Sequence, residues 1–148
     1  MPTPLDPAFE ARVRESYARQ RLLHTLGATL ERVAPGEVDI RLPFRPELSQ
    51  QHGFFHAGAM TSVVDTACGY AALTLMPPDA AVLTVEFKVN LLAPGEGEAV
   101  VARARVVKAG RTLTVVGGDV FAVHHGEERL VATMLATMMA IRDRGLSG

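Results

Sequence analysis

The chain has no tryptophan, a single cysteine and almost no net charge, and each scarcity removes a class of function. A formal net charge of -1 leaves no basic excess to neutralise phosphates, so a nucleic-acid partner is not expected. With aromatics at 5% and no Trp, there is little from which to build a base-stacking platform. One cysteine, Cys68, cannot form an internal disulfide and fits a reducing compartment. It sits among apolar neighbours with no basic group beside it and reads as a small core residue. Residues 1–21 carry charges throughout and lack the apolar centre of a secretory signal, so a cytoplasmic location is expected. The longest apolar stretch, residues 57–76, has the length of a membrane span but contains Asp65, several small polar residues and Gly69. It also lacks Lys or Arg flanks, so no membrane partner is expected.

What is present is the composition of one globular domain: 148 residues, 48% hydrophobic and 21% charged. Asp6 and Pro7 have the chemistry of an N-cap and a first helical residue, and Leu5, Phe9, Val13 and Tyr17 recur every four positions. Residues 1–21 are therefore expected to be a helical arm packed over the core or a partner. Residues 26–33 and 37–42 read as short strands around Ala34-Pro35-Gly36. Residues 57–76 are too long and too rich in Ala for a strand; they predict a helix stopped by Pro77-Pro78. Being apolar nearly all round, this helix has to be enclosed on most faces.

Beyond it the period changes to two. Leu83, Val85, Phe87, Val89 and Leu91 alternate with Thr84, Glu86, Lys88 and Asn90, which predicts a strand with one buried face. Residues 99–107, 112–123 and 130–141 follow as three long strands, and the four together read as a meander. The last is apolar on both faces: Ala132, Met134, Ala136 and Met138 on one, Val131, Leu135, Met139 and Ile141 on the other. Burial of both faces implies a partner subunit. The whole is an α+β domain, an antiparallel sheet of about six strands wrapped around one long buried helix, over residues 22–142, with a tail at 143–148.

Asp65 is the only charged residue in the 57–76 run. An ionised carboxylate among Val63, Val64, Ala67 and Ala71 is costly unless it is compensated. It is either anchored by Thr61, Ser62 or Thr66 for structure, or kept for chemistry. His124-His125 is the one pair that suggests a metal; neighbours in a strand point to opposite faces, so no metal is expected.

His56-Ala57-Gly58 followed by the Asp65 helix, then LTVEFKVNLLAPG and VVKAGRTLTVV, resembles the hotdog-fold acyl-CoA thioesterases of the PaaI-like (phenylacetate-degradation) branch. The likeness spans residues 22–141. It implies a homo-oligomer, a dimer or a dimer of dimers (homotetramer), that hydrolyses a coenzyme A thioester to free acid and CoA without a cofactor. By this resemblance Asp65 is the general base or the nucleophile. The helix start offers N–H groups at Ala57 and Gly58, and Ala57, where the branch usually has Gly, polarises the carbonyl. Gln50, or else Gln51, orients water or thioester, His56 holds the carbonyl or the loop, and Thr84 stands near the acid. Asn90 matches a recurrent family position. Lys108, Gly110 and Arg111 on a hairpin are expected to meet the CoA phosphates. Two other functions on this fold are open: a hydratase or dehydratase using His52 or His56 with Asp65, and a non-catalytic acyl-CoA sensor.

Ala57 and Asp65 are eight positions apart, about 12 Å along a helix axis, too far for one thioester carbon to touch both within one chain. If both act, two chains must contribute.

Overall fold

The computed structural model describes residues 2–148. Its element order is α1 (Phe9–Ala18), α2 (Arg21–Leu26), β1 (Thr29–Ala34), β2 (Glu37–Pro43), a single 3-10 turn (Pro46–Leu48), α3 (Ala57–Leu73), β3 (Ala81–Leu91), β4 (Ala99–Ala109), β5 (Leu113–His124) and β6 (Glu127–Ile141). The six strands form one antiparallel sheet in the order β1-β2-β4-β5-β6-β3, and α3 packs on one face of it. The α+β, helix-wrapped architecture expected from the hydrophobic patterning is the one observed.

The helix is held by small and branched side chains: Val63, Val64, Ala67, Cys68, Ala71 and Leu73 are all fully buried. Gly118 of β5 lets the sheet approach it, since a Cβ there would lie 2.6 Å from Val64 Cγ2 and 2.8 Å from Cys68 Sγ. Burial pushes the Cys68 thiol up to about 12, which fits a core residue. Val13, Tyr17 and Leu23 from the N-terminal helices join the same core. No helix among the described residues is long and apolar enough to cross a membrane.

Three local expectations are corrected. Asp6 is not the N-cap: it accepts the Ala8 N–H at 2.9 Å and pairs with Arg12 at 3.1 Å, and the helix begins three residues later, with Ala8 as its cap. Leu26 ends a six-residue helix rather than opening a strand; Gly27, at φ 86°, supplies the left-handed turn that closes it. The 57–76 helix stops at Leu73, with Thr74 as its cap; Arg12 donates to the Leu73, Met76 and Pro77 carbonyls, so the last turn needs no further helix.

The largest correction concerns β3. It does not pair with β4 but crosses to the far edge, beside β6. Its ladder carries a bulge between Thr84 and Glu86. A bulge inserts one residue and reverses the alternation. Thr84 opposite Met138, Phe87 opposite Ala136 and Val89 opposite Met134 therefore share the helix-side face, whereas Leu83 and Glu86 lie on the outer face. The five alternating apolar residues are split between two faces.

Candidate functional site

The N-terminus of α3 is built by its own loop. His56 is the N-cap, in extended backbone, and its Nδ1 accepts the Gly58 N–H at 2.7 Å. The His56 carbonyl takes the N–H groups of Ala59 and Met60. Gly58 is thus committed to the cap, against the expectation that both N–H groups are free. The Ala57 N–H alone in this first turn has no acceptor among the described residues. It borders an apolar cavity of about 510 Å³ with Gln50, Phe54, Phe55, Met60 and the 91–95 segment.

Gln50 lines that cavity and Gln51 does not. The Gln50 carboxamide oxygen accepts the backbone N–H groups of His52 (2.6 Å) and Phe54 (3.3 Å), so its NH₂ group is the half left to face the cavity. Gln50 and Ala57 thereby present two donors to one space.

Asp65 stands on another face of the helix, half-buried. Its neighbours on the helix do not hold it: Ser62 and Thr66 each donate back to a carbonyl four residues earlier, Gly58 and Ser62, at 2.8 Å. Its partner is Thr84, brought inward by the β3 bulge, whose Oγ1 donates to Asp65 Oδ1 at 2.8 Å. Burial raises the carboxyl above the ordinary range, and the Thr84 bond partly opposes this. The acid opens into a second cavity of about 390 Å³, bounded by α3, α1–α2, β3 and residues 147–148.

The remaining candidates are scattered. Asn90 is exposed on the outer face opposite Thr133, away from Asp65. Lys108 lies on that outer face opposite Val115. Gly110 and Arg111 line a third cavity with Arg142, a residue the sequence reading did not single out because it follows the last strand without any motif. Gly110 is required by the hairpin itself, since a Cβ there would collide with the Leu113 carbonyl. The two adjacent histidines do meet, with ring centroids 4.2 Å apart, because His125 sits in the turn at φ 48° rather than in the strand.

An uncommitted helix-start donor and a carboxyl raised by burial are the parts that acyl-group hydrolysis needs. The profile of the thioesterase superfamily matches residues 52–128, the segment that contains both. A candidate esterase of Saccharolobus solfataricus is 30% identical over 131 residues, covering 88% of this chain and 85% of that protein. Another, of Halobacterium salinarum, is 32% identical over 119 residues, covering 76% and 78%. A thioesterase family protein of Silicibacter pomeroyi has a solved structure with TM-score 0.89 at 54% identity, over 90% of this chain and 98% of that one. The PaaI protein of the E. coli phenylacetic acid degradation operon superposes with TM-score 0.81 at 20% identity, over 93% and 96%, a likeness of fold alone. The chain belongs to the thioesterase superfamily. Its fold is the hotdog fold of the PaaI-like proteins, and thioester hydrolysis in general is the activity that the family supports.

Proposed function

We propose that the protein hydrolyses an acyl-CoA thioester, aryl or medium-chain aliphatic, to the free acid and CoA, in the cytoplasm. The observation that carries the reading is Asp65: a carboxyl raised by burial, held by Thr84, at the mouth of a cavity. As general base it takes a proton from water, whose oxygen adds to the thioester carbonyl. As nucleophile its own oxygen adds, and water then cleaves the mixed anhydride. In either route the carbonyl oxygen gains negative charge, and the C–S bond breaks as the CoA sulfur leaves and is protonated. The Ala57 N–H and the Gln50 NH₂ are the donors for that charge, worth most in a water-poor site.

Asp65 and Ala57 border separate cavities of one chain. The reading therefore requires a dimer in which Ala57 of one protomer faces Asp65 of the other, two composite sites related by the two-fold. Two surfaces favour assembly. β3 is an edge strand with Val85 54% exposed, open to pairing with another chain. On the outer face of the sheet Leu83, Leu113 and Leu135 are each about half exposed, an apolar patch suited to a dimer of dimers. Arg111 and Arg142 are the cations assigned to the CoA phosphates, with Lys108 outside their cavity.

The test is thiol release from a panel of acyl-CoAs, read beside water addition to an enoyl-CoA. Thiol release supports the reading; hydration without thiol release, or binding without turnover, refutes it.

A further inference from the structure

Gly69 lies inside the C-terminal half of the buried helix, one turn after Asp65 and on the same side, about 6 Å further along the axis. Glycine is the poorest helix former after proline, so its place there needs a reason. Close packing is the usual one, and Gly118 illustrates it: a Cβ would strike Val64 and Cys68. At Gly69 the same test finds the opposite. Beyond its own helix and chain neighbours, no atom among the described residues lies within 4 Å of where a Cβ would stand. The space it leaves belongs to the Asp65 cavity, which Gly69 lines together with Thr66 and Tyr70. That cavity continues past Gly69 to Leu22, Leu23 and Val82, with Ser16, Gln20 and Ser147 as polar members of the same wall.

We propose that Gly69 is the specificity-determining residue of the acyl pocket: it keeps the cavity open beyond the carboxylate and so admits acyl groups that extend more than one helical turn past the thioester carbon. This rests on the assignment of Asp65 to thioester hydrolysis. An acetyl group ends beside Asp65 and never reaches Gly69, whereas an octanoyl chain must pass over it. A side chain at position 69 would shorten the pocket without touching the acid or the Ala57 donor.

The experiment compares wild type, Gly69→Ala and Gly69→Leu on acetyl-, butyryl-, hexanoyl- and octanoyl-CoA, with melting temperature and light scattering on each. The ratio of octanoyl to acetyl kcat/KM should fall at least tenfold in Gly69→Leu and less in Gly69→Ala. Gly69→Ala should melt no lower than wild type, because a methyl fits the open space and favours the helix. An unchanged ratio, an equal loss at every chain length, or dissociation of the oligomer would overturn the proposal, the last by showing that Gly69 serves packing between subunits. Wild type inactive on all four and on an aryl-CoA such as benzoyl-CoA would refute the hydrolytic assignment instead. Calorimetric binding of octanoate would then decide the pocket: weaker binding to Gly69→Leu supports it, and equal binding overturns it.

Discussion

Thr84 Oγ1 donates to Asp65 Oδ1 at 2.8 Å, so an edge-strand hydroxyl, and no group on the helix itself, fixes the one acid of α3. The bond favours the ionised carboxylate, and burial favours the protonated one. Thr84→Val removes the first influence and keeps the second. The acid limb of kcat/KM against pH should move to higher pH, with activity near neutrality down several-fold. An unshifted limb would mean that another group sets the ionisation.

Asp65→Asn should lower turnover by roughly a hundredfold or more, the scale of losing a general base. It should also raise stability at neutral pH. A carboxyl whose pKa is raised by folding binds its proton more readily in the folded state, so its effect on stability worsens as pH rises through the unfolded and then the folded value. The gain in melting temperature from Asn should therefore be present at pH 7 and shrink towards acid pH. A soluble, fully active variant would refute the role of the acid.

His56→Ala should destabilise the fold by about 1 kcal/mol, because the Gly58 N–H loses its cap. His56→Asn, which can still accept that N–H, should recover most of the melting temperature. If Asn restores stability and activity stays lost, His56 has a chemical part as well as a structural one.

Replacing both Arg111 and Arg142 by Ala should raise KM for acyl-CoA and leave kcat little changed. A pantetheine thioester lacking the nucleotide should be nearly indifferent. Equal damage on both substrates would remove these residues from phosphate recognition.

The parts of this fold that rest on period were legible in the sequence. The length and Ala content of α3 gave its type, alternation marked the strands, and isolation in an apolar run marked Asp65. Non-local choices were not legible. Nothing in residues 81–91 says that β3 crosses to β6, or that a bulge at Thr84 reverses its faces. Yet that bulge is what turns Thr84 towards Asp65. The six residues of α2 are too few to display a helical period, and only Gly27 hints at their end. Gly58 reads as a free donor until the ring of His56 folds back on it. Gly69 reads as a weakness in a helix until the empty space beside it is seen.

Catalysis shared between two chains is tested most directly by subunit exchange. Ala57 is the first residue of α3, where proline is favoured, and His56 before it is already extended (φ -61°, ψ 136°), as a residue preceding proline must be. Ala57→Pro therefore deletes the N–H donor while sparing the helix. Mixed with Asp65→Asn, two inactive homodimers should give heterodimers with one doubly defective and one intact site. At equal amounts and full exchange, half the dimers are mixed, so activity should return to about a quarter of wild type. No recovery, with exchange demonstrated by mass spectrometry, would mean that each site is built within one chain.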